Sequence, residues 1–298
     1  MGWLDLHMHS TYSNDGEFTP EQLMGLCKKA GLKTVALADH NCVRGIKEAA
    51  IYAEKLDIQL IHAVELDCSF QNTDLHLLGF GIDETCIEYE KIELNVLHQE
   101  QIASKMRMEL IENMGFVFER EEVMKLSKHG VVTGEMIAET LLNDKRNKEN
   151  IRMQPYYLGG ERSDNPYVNF YWDFCSKDKA AYVKMDFMEL SEAVNLITKT
   201  GGIPVLAHPG NNVKENKKLM HNVIKEGIKG LEVYSSYHST SQTKIYEELA
   251  DHYGLIRTIG SDFHGKTKPS VKLGEVNCHN SEEIIYSELM KRIGIENK

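Results

Sequence analysis

The sequence predicts an α/β protein built on a mostly parallel sheet, open or closed into a barrel, with a helical segment inserted into it. Two observations carry this reading. Short apolar runs alternate with amphipathic stretches near both ends of the chain, and the segment from about 86 to 186 breaks that rhythm with helical periodicity of its own. In order, Trp3 to Leu6, Thr34 to Ala38, Leu60 to Leu66 and Leu75 to Phe80 read as strands. Helices fall near Pro20 to Ala30 and Gly45 to Leu56. Later strands are expected at Ile203 to Ala207, Gly230 to Tyr234 and Leu255 to Ile259, with helices near Met188 to Thr200, Asn216 to Glu226 and Ser241 to Tyr253. Roughly seven strands favour closure over an open sheet.

Between the halves, a long helix runs from Cys86 through Met114, shorter ones cover Arg120 to Leu126 and Gly134 to Asn143, and an aromatic and polar stretch follows through Tyr182. The expected division is therefore a barrel from residues 1–85 and 187–298 with residues 86–186 as a helical insertion, or lid, over its mouth. NDKRNKEN at Asn143 to Asn150 reads as a solvated turn.

Composition narrows the function. With 298 residues, 42% hydrophobic and 27% charged, the chain is an ordinary globular one with a sizeable core. A formal net charge of -11 repels long polyanions, which argues against long duplex nucleic acid and favours a small substrate. The opening MGWLDLHMHS has no basic or apolar leader pattern, and no run of eighteen apolar residues occurs, so a cytoplasmic location without membrane contact is expected. Six cysteines at irregular spacing, with no CxxC pair, read as reduced packing residues.

The chemistry lies in histidines and carboxylates at strand ends. His7 and His9 flank Met8, so alternation along an extended chain puts both imidazoles on one side. Asp15 sits in the turn SNDG, Asp39 and His40 end VALADH, Glu65 ends IHAVELD, His76 opens HLLGF, His208 lies in VLAHPG, and Asp262 and His264 lie in GSDFHG. Parallel barrel strands deliver their C-terminal ends to one face, where such residues converge. Imidazole and carboxylate without thiolate suit Zn, Mn or Fe. His62, His98, His129, His221, His252 and His279 lack this grouping and read as surface or core residues.

The ordered set HMHSTYSNDG, ALADHN, AVELD, LHLLGF, VLAHPG, LEVY and GSDFHG resembles the motifs of the polymerase and histidinol phosphatase (PHP) family, over about residues 3–82 and 201–276. The resemblance implies a distorted seven-stranded β/α barrel of PHP type and a metal-dependent phosphoesterase with three divalent ions (Mn, Fe or Zn). It assigns His7, His9, Glu65 and Asp262 to one ion, Glu65 with His76 and His208 to a second, and Asp15, His40 and His264 to a third.

Three divalent ions carry about +6 against about -3 from Asp15, Glu65 and Asp262, an excess that attracts a phosphate dianion. Closely spaced metals can bridge a hydroxide, lower its pKa and clamp phosphoryl oxygens. Ser10 and Thr11 show no base partner beyond the ligand histidines, which disfavours a covalent route. Asp39 is expected to orient an imidazole or handle a proton. Arg44 and Arg162 are candidates to grip phosphate. His238 is a candidate to contact substrate or protonate the leaving group, and Glu232 reads as a supporting group.

Tyr156, Tyr157, Tyr167, Phe170, Tyr171, Trp172 and Phe174 form either the insertion's own core or a platform for a base. The layout looks most similar to nucleoside 3′,5′-bisphosphate phosphatases, some of which also trim short oligoribonucleotides. Where those carry Arg and His in an insertion helix, TGEMIAETLL has Gly134 and Met136. The expected function is hydrolysis of a small phosphomonoester, a nucleotide first. Histidinol-phosphate hydrolysis and a non-catalytic metal or nucleotide sensor are the alternatives.

Overall fold

The computed structural model describes residues 2–278 and 281–294, so His279 lies outside the described residues. Seven strands form a nearly closed ring: β1 (Leu4–Met8), β2 (Thr34–Leu37), β3 (Gln59–Phe70), β4 (Thr73–Phe80), β6 (Ile203–Leu206), β7 (Gly230–Ser235) and β8 (Ile256–Gly260), in that order around the sheet. A two-residue strand, β5 (Met188–Glu189), pairs alongside β3.

The ring is not wholly parallel. β3 and β4 form an antiparallel hairpin with Asp67 opposite His76, and β4 is again antiparallel to β6. Its turn, Gln71 and Asn72, has positive φ at both residues, the backbone that lets two right-twisted strands join directly. β3 accordingly runs on to Phe70 instead of stopping near Glu65. His76 reaches the site from near the start of β4, and only because that strand is reversed does it share a rim with the C-terminal ends of the others.

Closure between β1 and β8 rests on a few bonds. Met8 bridges Phe263, and the Asp262 N–H donates to the His7 carbonyl at 2.8 Å. Asp5, 1% exposed, accepts the N–H of Ser261 at 2.9 Å and of Gly274 at 2.9 Å. Burial raises its carboxyl pKa against these donors.

Helices coat the ring. α1 (Pro20–Ala30) starts at a Thr19–Gln22 capping box with Pro20 in its first turn and stops at Gly31 in the left-handed region. α2 (Gly45–Lys55) packs on α1, and both cover Met8, Val35 and Leu37. In the intervening segment lie α3 (Ile87–Asn113), α4 (Arg120–Leu126), α5 (Gly134–Asn143) and α6 (Pro166–Phe170), the last continuing as a π turn through Cys175. These carry a separate apolar cluster around Ile111, Phe116, Ile137, Tyr156 and Phe170. Tyr157, Tyr167, Tyr171 and Phe174 pack against it, while Trp172 is 38% exposed. Those aromatics thus build a core of their own.

Returning to the barrel, α7 (Leu190–Lys199), α8 (Pro209–Asn212), α9 (Lys217–Lys225) and α10 (Thr240–Tyr253) follow in order, and α11 (Glu282–Arg292) closes the described chain. α11 was not expected from the sequence, although Ile285 and Leu289 at i, i+4 bury one face of EEIIYSELMKR. All six cysteines are free. No helix among the described residues is long and apolar enough to cross a membrane.

Replacing Asp5 by Ala strands the Ser261 and Gly274 N–H groups in the barrel seam and should cost about 2–4 kcal/mol of unfolding free energy. Urea unfolding of wild type and Asp5→Ala measures this, and a loss below about 1 kcal/mol contradicts the importance of the seam.

Candidate metal centre

Nine side chains singled out in the sequence meet at one rim of the barrel. Glu65 stands at the middle. Its Oε2 is 3.1 Å from His7 Nε2, 3.3 Å from His9 Nε2 and 3.2 Å from His40 Nδ1, while Oε1 is 3.1 Å from His76 Nδ1 and 3.0 Å from His208 Nε2. Asp262 Oδ1 approaches His9 Nε2 at 3.0 Å, and Asp15 Oδ2 approaches His264 Nε2 at 3.1 Å. His9 and His264 stack with centroids 4.0 Å apart.

Four overlapping groups have donor atoms close enough to share a cation: His7, His9, Glu65 and Asp262; Glu65, His76 and His208; His9, His40 and His264; and His40, Asp67 and His76. Asp15 joins the third through His264.

The hydrogen bonds fix which nitrogen faces inward. His7 Nδ1 meets Glu232 at 2.8 Å, His208 Nδ1 meets Asn212 Oδ1 at 3.0 Å, and His264 Nδ1 meets the Asp262 carbonyl at 2.8 Å. Each partner atom is an acceptor, so Nδ1 carries a proton and Nε2 is the nitrogen turned inward, where the neutral form of the ring presents a lone pair to a cation. Lone pairs then face carboxylate oxygens and one another, as at His7 Nε2 and His9 Nε2, 3.1 Å apart. Repulsion of that kind is relieved by cations between the atoms.

Unsatisfied atoms tell the same story. Of nine buried side-chain N or O atoms lacking a hydrogen-bond partner among the described residues, five are here: Asp15 Oδ1, His40 Nδ1, Glu65 Oε2, Asp262 Oδ1 and His264 Nε2. Such atoms are rare in folded proteins and call for an ion or water. The donor set therefore fits divalent cations.

Local backbone shape serves the cluster. His208, Asn41 and Asp262 all have positive φ, an uncommon conformation for residues with a Cβ. Gly260 is required because a Cβ there would fall 2.2 Å from His7 Cβ and 2.3 Å from Glu232 Oε1.

The titration directions agree with ionised carboxylates. Burial would raise Glu65, Asp15 and Asp262, but neighbouring imidazoles, and Lys268 beside Asp262, hold all three well below the usual range. Burial would lower His7, yet Glu65, Glu232 and Asp262 hold it well above its ordinary value. Burial, with His264 and His40 nearby, lowers His9 to about 4.

Other expected residues lie elsewhere. Among the described residues Asp39 hydrogen-bonds serines and not an imidazole. It accepts the Ser10 N–H at 2.7 Å, the Ser10 hydroxyl at 2.8 Å and the Ser13 hydroxyl at 3.0 Å, and Ser13 Oγ lies 3.1 Å from His9 Nδ1. Ser10 thus has a carboxylate partner that the sequence did not reveal, but it is fully buried and ties down a turn. Arg44 pairs with Glu93, and Arg162 pairs with Asp173 at 2.8 Å, so neither guanidinium is turned to the cluster. His238 Nδ1 bonds the Val233 carbonyl at 2.9 Å and its Nε2 accepts the Gly210 N–H at 3.1 Å. With both nitrogens held by backbone, His238 braces the loop after His208 and has no free N–H for a leaving group.

The sequence reading missed Asp67, whose Oδ1 is 3.4 Å from His76 Nε2 and 3.6 Å from His40 Nδ1. Its signal was available, since Glu65 and Asp67 are spaced like His7 and His9 on one strand face. Glu232 also matters more than expected: fully buried, it receives His7 Nδ1–H and, at 2.8 Å, the His208 N–H. Lys268 and Tyr237 were missed as well, and both bond Asp262 Oδ2, at 2.6 and 2.5 Å.

The model of the PHP domain family matches residues 5–270. Among curated proteins, a phosphoribosyl 1,2-cyclic phosphate 1,2-diphosphodiesterase of Eggerthella lenta is 26% identical, covering 88% of this chain and 94% of its own. A 5′-3′ exoribonuclease of Haemophilus influenzae is 27% identical over 87% of this chain and 89% of its own. A 3′,5′-nucleoside bisphosphate phosphatase of Chromobacterium violaceum is 28% identical over 89% and 88%. Among solved structures, an amidohydrolase from Chromobacterium violaceum superposes with a TM-score of 0.79 at 24% identity, covering 97% of this chain and 96% of that one, and so shares the fold.

Two outcomes are expected. Glu65→Gln, which removes the central negative charge and turns one acceptor oxygen into an NH2 donor, should lower bound metal by at least about tenfold at equal free ion, read by elemental analysis after dialysis; undiminished metal content contradicts the central role. Separately, burial first and Asp15 second raise Glu135, on α5, from 4.5 to about 7. A raised folded-state pKa means its stabilising effect is complete below 4.5 and is lost as pH rises through about 7. Glu135→Gln should therefore flatten the stability of the metal-free protein over that window by up to about 3 kcal/mol, seen in urea melts at either end.

Proposed function

Because the chain belongs to the PHP domain family, whose members are metal-dependent phosphoesterases, we propose that it hydrolyses a phosphomonoester of a small nucleotide, a nucleoside 3′,5′-bisphosphate being the first candidate. The observation that carries the reading is Glu65, a fully buried carboxylate within 3.3 Å of imidazole nitrogens from five histidines. Three relatives are named for a phosphoribosyl cyclic phosphate, an exoribonuclease activity and a nucleoside bisphosphate, which supports a phosphate ester carried on the sugar of a nucleotide or its like.

His7, His9, Asp15, His40, Glu65, His76, His208, Asp262 and His264 would hold three cations, with Mn, Fe or Zn all compatible with the donors. When bound, these ions supply Lewis acidity to phosphoryl oxygens and acidify a water for attack. The chain's own residues do the rest. Glu232 and Asn212 hold His7 and His208 with Nε2 directed inward, and Asp39 steadies the turn whose Ser13 hydroxyl reaches His9.

Access comes from the side of His40 and His76, whose side chains are 22% and 28% exposed while His7 and His9 are fully buried. The helical segment of residues 86–186 would act as a lid on the Asp15 side: Lys128 donates to the Ser13 and Gly16 carbonyls, and Lys266 pairs with Glu139 at 2.7 Å. A lid position of this kind would select the group carrying the phosphate.

Purified protein supplied with Mn should release inorganic phosphate from a nucleoside 3′,5′-bisphosphate in preference to histidinol phosphate, and His7→Ala should lose at least about 10²-fold of that rate. A panel that also holds a phosphoribosyl cyclic phosphate and a short 5′-phosphorylated oligoribonucleotide decides the substrate. Tight binding of one ester with no turnover of any would instead indicate a sensor.

A further inference from the structure

Resting on the phosphoesterase reading, we infer that Lys268 is the side chain by which this protein holds the phosphoryl group of its substrate.

Lys268 follows the turn Gly265–Thr267 and is 8% exposed. Its Nζ sits 2.6 Å from Asp262 Oδ2, and its ammonium lies 5.3 Å from the centre of the Tyr237 ring. That ring in turn stands edge-on to His208, with centroids 5.8 Å apart. Lys268 and Tyr237 thus line one wall of the cluster, from Asp262 to His208. An ammonium offers three donors, and Asp262 is the only acceptor that Nζ meets among the described residues. A buried cation with two donor positions unfilled is poised for a further anionic oxygen.

Charge makes the same point. Five carboxylates touch the imidazoles of the cluster: Asp15, Glu65, Asp67, Glu232 and Asp262. Against three divalent cations they leave an excess of about +1, and Lys268 brings it to about +2, which a phosphate dianion balances. With cations drawing on Asp262, the ammonium also loses part of its counter-charge and needs a second partner. Four other basic side chains are committed to partners of their own: Arg44 to Glu93, Arg162 to Asp173, Lys266 to Glu139 and Lys128 to backbone carbonyls.

The opposing possibility is that Lys268 only keeps Asp262 in place. Tyr237 separates the two, because its hydroxyl also bonds Asp262 Oδ2, at 2.5 Å, and stays when Lys268 is replaced.

The test uses the metal-loaded full chain and three readouts: metal content, the dissociation constant for inorganic phosphate by calorimetry, and KM against kcat. Lys268→Met should keep its metal, bind phosphate about 10- to 100-fold more weakly and raise KM more than it lowers kcat, with Lys268→Arg recovering most of the phosphate affinity. Wild-type phosphate affinity in Lys268→Met, metal loss in step with phosphate loss, or no phosphate binding by the wild type would each overturn the inference. Lys268-dependent phosphate binding without turnover of any ester would sink the hydrolase reading alone. Turnover with an unchanged KM in Lys268→Met would sink this one alone.

Discussion

A single carboxylate sets the terms for everything around it. Glu65 is wholly buried in mid-strand and surrounded by imidazole nitrogens of His7, His9, His40, His76 and His208 at 3.0 to 3.3 Å. In water such a crowd of lone pairs would rotate apart. Here outer partners lock the rings: Glu232 behind His7, Asn212 behind His208, and the Asp262 carbonyl behind His264. The protein holds the donors in place through bonds made on their far sides, and the inward atoms are left unsatisfied as a consequence.

That constraint explains features of the barrel that would otherwise look arbitrary. Gly260 leaves room for His7 and Glu232 to meet, and His208 and Asp262 take backbone conformations that a non-glycine residue normally avoids. The reversed strand β4 is the clearest case. A parallel strand in that position would deliver its last residue to the rim, whereas the hairpin delivers Asp67 and His76 as a cross-strand pair at the start of β4. Two donors therefore arrive from one turn of chain, adjacent to Glu65 on the same strand face.

Much of this was legible in the sequence because strand alternation and motif order are local. HxH at His7 and His9, the DH pair at His40 and the position of His208 just past its strand rest on a period of two and on where apolar runs stop, whereas Glu65, read as a strand end, lies in the middle of β3. What was not legible depends on tertiary contacts. The reversal of β4 hinges on two residues, Gln71 and Asn72, that are not the usual Asn-Gly turn. The ion pairs that occupy Arg44 and Arg162 join residues 49 and 11 positions apart, and the backbone bonds of His238 come from two different elements. α11 escaped because its buried face is narrow, with Ile285, Leu289 and Met290 as its buried residues.

The carboxylates outside the expected set change how the site can recognise phosphate. Had Asp15, Glu65 and Asp262 been the only acids, the cations alone would carry a surplus ample for any phosphate, and no basic side chain would be needed. Asp67 and Glu232 consume most of that surplus while fixing imidazoles, so orientation of the donors is gained at the expense of attraction for the substrate. A positive side chain inside the wall, Lys268 beside Asp262, restores the attraction without loosening the rings. With Gly134 and Met136 at the start of α5, that helix turns no basic side chain toward the cluster from its first turn, and Lys268 offers the positive charge from within the barrel wall.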